Sequence, residues 1–249
     1  MGRLSGKIAF VTGAGGGIGR AIAFAMAREG AKVALADINQ ELLAEAAAAA
    51  NGLDVVPVVC DVSDRDDVKA KLDQFVRDAG GLDILVNNAV VFHYAQMVDF
   101  NPEIVDRMLN VGLKGTYWCL QAATPHLKAR GGGAIINLSS IAVSMSIPNA
   151  SIYTSIKGAI DALTRQQAAE LGAYGIRVNA VAPGSVPTPG ANSVIDESGW
   201  KNREQKSVLK RLPSAEDIGH AAVFLASDEA VAITGVTLKI DAGMTITGP

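Results

Sequence analysis

Tyr153 and Lys157 lie four residues apart in the segment SIYTSIKG at 151–158, and Ser140 precedes the tyrosine by thirteen residues. Positions i and i+4 share one face of a helix. An ammonium beside a phenol favours the phenolate and lowers a pKa that otherwise lies near 10. That suits a group which must exchange a proton near neutral pH. The Ser140 hydroxyl is then placed to hold the substrate oxygen that gives or takes the proton. Ser139 is the rival for that role, one residue off in spacing and pointing to the opposite face if the segment is extended. Taken singly, each residue reads as packing, a solvated helix position or a turn; the remainder of the chain is the reason to read them together.

The residues at 7–11 form an apolar run, followed by Thr12-Gly13-Ala14-Gly15-Gly16-Gly17-Ile18-Gly19 and an alanine-rich amphipathic stretch to Arg28. Strand, glycine turn and helix make a unit whose backbone can approach a pyrophosphate and offer it the free N–H groups of a helix N-terminus. A second apolar run at 32–36 ends on Asp37 and Ile38. The acid stands eighteen residues past Gly19, close to the spacing of a group that binds ribose hydroxyls. Its charge would repel a 2′-phosphate, by about 1 kcal/mol at ~4 Å in water and roughly 4 kcal/mol near a protein surface. No Arg or Lys stands at 15–17 or at 38 to offset it, so the expected cofactor is NAD rather than NADP.

These features together resemble the short-chain dehydrogenase/reductase family over nearly the whole chain. Its Thr-Gly-x-x-x-Gly-x-Gly motif is matched by Thr12, Gly13, Gly17 and Gly19. Asp61-Val62 is similar to the family's adenine-contacting pair, Asn87-Asn88-Ala89 to its Asn-Asn-Ala-Gly, and Asn110 to its helix asparagine. Ser140, Tyr153 and Lys157 match its catalytic residues. Pro183-Gly184, with Val186 and Thr188, resembles the segment that closes over the nicotinamide. The resemblance implies hydride transfer on a secondary alcohol or ketone: Tyr153 as general acid or base, Ser140 orienting the substrate, Lys157 holding the nicotinamide ribose, and Asn110 supporting a proton-relay water. It also implies a homotetramer. Two positions depart from the pattern. Val90 replaces the glycine of Asn-Asn-Ala-Gly, which is disfavoured if the position needs positive φ. Asp241-Ala242-Gly243 replaces Asp-Gly-Gly, expected to matter little.

The chain of 249 residues is 49% hydrophobic with 5% aromatics and a net charge of −3. No linker or charge block divides it, so one domain over 1–249 is expected. No basic stripe suggests nucleic acid, no apolar run approaches the ~20 residues of a membrane span, and the start does not read as a secretory signal. His93, His126 and His220 lack zinc-like spacing, so no metal is expected. Cys60 and Cys119 read as buried free thiols of a cytoplasmic protein. Apolar runs near 7–11, 32–36, 55–59, 84–87, 134–138, 177–181 and 236–240 alternate with helical stretches at 40–50, 64–79, 102–129, 151–172 and 215–226. Alternation of this kind predicts a doubly wound α/β fold with a parallel sheet and helices on both faces. The resemblance implies about seven strands in the order 3-2-1-4-5-6-7. Sites on such sheets gather at the carboxyl edge.

The substrate wall is expected from Val90, Val91, Phe92, His93 and Tyr94, then Ala142 to Ile147, then Val186, with His93 and Ala142 beside Ser140 and Tyr153. The irregular segment 187–207 is expected to act as a mobile lid. Its Lys201, Arg203 and Lys206 are expected on a solvated face, leaving a modestly apolar substrate without a cationic clamp. Two other functions remain open: a 3-oxoacyl thioester reductase of the same family, disfavoured by Asp37 and the negative net charge, and an NAD-sensing regulator without turnover, disfavoured by the complete Ser140–Tyr153–Lys157–Asn110 set.

Overall fold

The computed structural model describes residues 2–192 and 195–246. In chain order the elements are β1 (Ile8–Thr12), α1 (Gly17–Arg28), β2 (Lys32–Asp37), α2 (Gln40–Ala49), β3 (Val55–Val59), α3 (Arg65–Ala79) and β4 (Ile84–Asn87). There follow α4 (Pro102–Leu109), a π-helical turn (Asn110–Lys114), α5 (Gly115–Ala129), β5 (Gly133–Leu138), α6 (Ser151–Leu171) and β6 (Ile176–Pro183). The last are α7 (Pro189–Asn192), α8 (Glu197–Lys206), α9 (Ala215–Ala226) and β7 (Thr237–Ile240). The seven strands pair in parallel in the order β3-β2-β1-β4-β5-β6-β7.

The apolar runs become strands because both faces of the sheet are covered, which removes the polar alternation of a half-exposed strand. On β1, Ile8 and Phe10 join a core built with α3, α5 and α6, while Ala9 and Val11 join a second core built with α1, α2 and α9. The edge strand β3 is only partly buried. Pro57 is tolerated there because an edge strand can spare the N–H that proline lacks. Small residues let the helices approach closely: a Cβ on Gly219 of α9 would sit 3.0 Å from the Ala21 carbonyl oxygen of α1. Asp64 caps α3 by accepting from the Asp66 and Asp67 N–H groups, and Ser214 with Asp217 forms a capping box on α9. Caps of this kind contribute about 1 kcal/mol each.

The strand order reverses between β2 and β4 on either side of β1. The loops leaving β1 and β4 therefore part to opposite faces and leave a crevice at the carboxyl edge. Two elements differ from the sequence expectation. The helix expected over 102–129 is interrupted at Asn110–Lys114 by a π-helical turn, the kind of insertion often found at functional sites. The segment expected to be irregular at 187–207 carries α7 and α8; its Ser193 and Val194 lie outside the described residues. No helix among the described residues is long and apolar enough to cross a membrane, and none of their His, Cys, Asp and Glu side chains cluster as a metal site would require.

Candidate active site

A cavity of about 700 Å³ opens at the carboxyl edge of the sheet. Its first half is the glycine turn after β1. Gly13 and Gly17 have φ of +64° and +51°, values that exclude most side chains. Gly19 is fixed by packing instead, since a Cβ there would lie 2.1 Å from the Gly13 carbonyl oxygen. The N-terminus of α1 is capped by Gly16 with no side-chain hydrogen bond and no acidic residue in the first turn. A Cβ on Gly16 would meet nothing within 4 Å. Uncapped N–H groups facing open space at the positive end of a helix fit a diphosphate. The Asp37 carboxylate stands at the end of β2, where it accepts from the Gly15 N–H at 3.0 Å and the Asn39 N–H at 3.0 Å. Leu42 and Glu45 of α2, and Arg20 of α1, complete this end of the wall.

Thr12 ties the two crevice loops together. Its hydroxyl donates to the Val86 carbonyl at 3.2 Å and accepts from the Asn88 and Ala89 N–H groups at 3.0 and 3.2 Å. The Asn88 amide donates to the Thr12 and Gly13 carbonyls at 2.9 and 3.1 Å. Of the Asn87-Asn88 pair, it is Asn88 that reaches the cavity, correcting the expectation for Asn87. The Asn87 amide points into the protein and donates to Asn137 Oδ1 at 2.9 Å, and Asn137 in turn donates to Thr164 at 3.0 Å. Adjacent residues at a strand end face opposite ways, so only one of the two could serve the glycine turn. Val90 does not have positive φ, so the missing glycine costs nothing there. The strain sits at Ala242 instead, with φ +52°.

The second half of the cavity holds Ser140, Tyr153 and Lys157 together. Ser140 follows β5, and its Oγ accepts from the Ala142 N–H at 3.1 Å. Ser139 turns away toward the Lys157 carbonyl of α6, at 3.4 Å. Both serines touch the cavity wall, but Ser140 is the one whose hydroxyl acts on the Tyr153 phenol. The phenol lies against Phe92 and Tyr94, with ring centroids 5.5 and 6.1 Å apart. Burial pushes its pKa above the ordinary tyrosine value, the Ser140 hydroxyl opposes this, and Tyr94 adds to it. Lys157 is also buried, which lowers its pKa to about 8. Its Nζ donates to the Leu138 carbonyl at 2.5 Å and lies 5.7 Å from the Tyr153 ring centroid. The pairing expected from sequence, lysine lowering phenol, is therefore not what the chain alone does. Each group is held toward its neutral form by desolvation, and the ammonium is turned to a carbonyl.

Gly13, Gly17, Ile18, Gly19, Asp37, Ala89, Pro183, Gly184, Val186 and Thr188 also line the cavity. Ile38, Asp61, Val62, Asn110, His93 and Ala142 do not. Ile38 projects to solvent at 65% exposure, and Ala142 is buried in the core. Asp61 closes on its own turn, accepting from the Ser63 N–H and hydroxyl at 2.9 and 2.7 Å, while Val62 packs beside Gly115. His93 stacks edge-on to Phe100. Along 90–94 only alternate residues line the cavity, and these are Val90, Phe92 and Tyr94. Asn110 lies in the π-helical turn, where its Oδ1 accepts from Lys114 Nζ at 2.9 Å; the turn packs on α6 through Gly112 and Ile156. The three lid cations divide. Lys201 pairs with Glu197 at 2.8 Å and Lys206 is exposed, whereas Arg203 reaches the wall beside Trp200.

The family whose model is described as enoyl-(acyl carrier protein) reductase matches residues 13–245. The chain belongs to the short-chain dehydrogenase/reductase family. It is thus an oxidoreductase built on the fold described above. It is 36% identical over 246 residues to a 3-oxoacyl-[acyl-carrier-protein] reductase of Thermotoga maritima, covering 98% of this chain and 100% of that protein. It superposes with a TM-score of 0.93 on a gluconate 5-dehydrogenase of Burkholderia cenocepacia in complex with NADP and tartrate, at 33% identity, covering 99% and 98% of the two chains. The TM-score is also 0.93 for a 7α-hydroxysteroid dehydrogenase complexed with NADH and 7-oxo glycochenodeoxycholic acid, at 32% identity and 97% and 95% coverage.

Proposed function

We propose that this chain moves a hydride between NAD(H) and a secondary alcohol or the matching ketone, with Tyr153 exchanging the hydroxyl proton. The observation that carries the reading is that Ser140, Tyr153 and Lys157 share one cavity with the glycine turn and Asp37. When bound, the dinucleotide supplies the hydride acceptor or donor. Tyr153 Oη takes the carbinol proton in oxidation and returns it in reduction. Ser140 Oγ holds the substrate oxygen beside the phenol. Lys157 is a buried cation within reach of the ring, so its charge, turned toward the phenol, stabilises the phenolate that oxidation requires. Asn110, in the π-helical turn packed on α6, serves the proton path indirectly. Asp37 accepts the ribose hydroxyls and disfavours a 2′-phosphate. That preference is the finer part of the proposal, because the structural relatives above hold NADP in one case and NADH in the other.

The likeness to the Thermotoga maritima protein favours a second reading, reduction of a 3-oxoacyl thioester. An NAD- and NADP-linked absorbance screen across sugars, hydroxysteroids, aryl carbinols, cyclic alcohols, hydroxy acids and a 3-oxoacyl thioester separates the two. The main reading expects NADH formation from at least one free alcohol. Turnover of the thioester alone, with NADPH, would establish the second reading in its place. We further propose a homotetramer in the cytoplasm, with α7 and α8 as a lid. Exposed Val231, Val236, Leu238 and Ile246 near the C-terminus support burial between subunits, and the buried free Cys60 and Cys119 suit a reducing compartment.

A further inference from the structure

The loop after β4, the 147–149 turn and the lid segment build the part of the cavity that faces away from the glycine turn. Phe92, Tyr94, Ile147 and Trp200 make it apolar. Among the described residues, the only charged side chain these segments bring to the wall is Arg203. Its guanidinium lies 5.9 Å from the Trp200 ring centroid, one helical turn earlier on α8, and Nη1 donates to the Gly199 carbonyl at 3.1 Å. A ring face and a carbonyl together fix the plane of the fork. No carboxylate among the described residues comes within ion-pair distance of it, although its charge adds to the Gly199 and Ser198 hydrogen bonds that hold the Asp196 carboxyl below its ordinary range. The nearby Asp196 is already spent on the start of α8, accepting from the Gly199 N–H at 2.7 Å and the Ser198 hydroxyl at 2.9 Å. The charge of Arg203 is felt at Tyr94, where burial raises the phenol pKa and the guanidinium works against it. Tyr94 in turn meets Tyr153 edge to face. The order along the wall is therefore cation, Tyr94, reacting phenol.

We propose that Arg203 binds a carboxylate on the substrate, so that this chain acts on a hydroxy or oxo acid whose charged end lies several bonds from the carbinol. The inference rests on the reading of Tyr153 as the reacting end of the cavity. An oriented guanidinium with open N–H groups in a partly desolvated site matches the two oxygens of a carboxylate. A phosphate monoester would bring a second negative charge for which this wall offers no second cation. The guanidinium is felt at Tyr94 but not at Tyr153, which places the charged end of the substrate on the Tyr94 side of the cavity, away from the carbinol.

The test uses (ω−1)-hydroxy acids from 3-hydroxybutanoate to 6-hydroxyheptanoate, each beside its methyl ester, with NAD. At least one acid should exceed its ester in kcat/KM by about tenfold or more. Arg203→Gln should abolish that preference by raising KM for the acid about tenfold or more. KM for the ester and for NAD should stay within about twofold, as should the NADH Kd from fluorescence titration. Arg203→Lys should recover part of the preference, because the charge remains and the fork is lost. Esters equal to or better than every acid in the wild type would overturn the proposal. So would equal losses on acid and ester in Arg203→Gln, or a rise confined to KM for NAD, which would assign the residue to the cofactor. Turnover of neutral alcohols with every acid silent sinks this inference and leaves the hydride-transfer reading standing. Tight NADH binding with no alcohol or acid turned over sinks both.

Discussion

The two halves of the cavity are made differently. The dinucleotide half is built from strand ends and backbone. Positive φ fixes Gly13 and Gly17, a close approach fixes Gly19, and Thr12 and Asn88 bolt the β1 and β4 loops together. The substrate half is built from side chains on a loop, a turn and the short helices α7 and α8. Backbone constraints tolerate few residue types, whereas a wall of side chains can be rebuilt without disturbing the sheet. The first half is therefore fixed by backbone geometry, and the second is where a change of side chain alters the wall and spares the sheet.

The largest effect expected from breaking this division lies at the junction of the halves. Lys157→Met should lower kcat/KM by about a thousandfold or more, measured as NAD-linked oxidation, without loss of fold. Lys157 is buried and its folded pKa, about 8, lies below the ordinary 10.5. Between those values the unfolded chain binds the extra proton, so stability rises with pH through that window. The upward-shifted Tyr153 acts oppositely above its ordinary value near 10. Between about pH 8 and 10 the wild type should therefore gain stability relative to Lys157→Met in urea melts. A variant that unfolds at neutral pH would show that the lysine is structural, and a parallel pH response would show that its folded pKa is not lowered.

A smaller effect sharpens the dinucleotide half. Asp37→Ala combined with Ile38→Arg should move the NAD/NADP preference in kcat/KM toward NADP by about tenfold or more. An unchanged ratio would mean that a group other than Asp37 reads the ribose. Smallest is a change outside both halves. Ala242→Gly should raise stability by about 1 kcal/mol, because a left-handed backbone strains an alanine by roughly that much, with kcat unaltered. No gain in a denaturant melt would show that the local hydrogen bonds of Asp241, to the Gly243 and Thr245 N–H groups at 2.9 Å, already compensate.

The sequence made the strands legible because continuous apolar runs and glycine punctuation reflect backbone demands. The seven strand positions and the convergence of Ser140, Tyr153 and Lys157 follow from them. Less was legible where facing decides. Asn87 and Asn88 are the same residue type side by side, and only the hydrogen bonds of Thr12 tell which one serves the turn. His93 has the chemistry of a site residue, yet alternation along 90–94 turns it toward Phe100 and brings Phe92 and Tyr94 inward. The π-helical turn at Asn110 inserts one residue into a helical ladder whose apolar pattern continues through it, leaving only Gly112 and Gly115 as signals. Arg203, Lys201 and Lys206 differ only in helical phase on a short polar helix. The expectation of one solvated face for all three missed Arg203; the only signal for it is that Trp200 stands one helical turn earlier.

Everything proposed for the site depends on the Tyr153 oxygen exchanging the substrate proton. The most direct test is Tyr153→Phe, assayed for NAD-linked turnover of the best substrate from the screen and, in parallel, for NADH binding by fluorescence. The account predicts a fall in kcat of about a thousandfold or more with the NADH Kd within about threefold of wild type. Turnover within about tenfold of wild type, at unchanged NADH affinity, would contradict it.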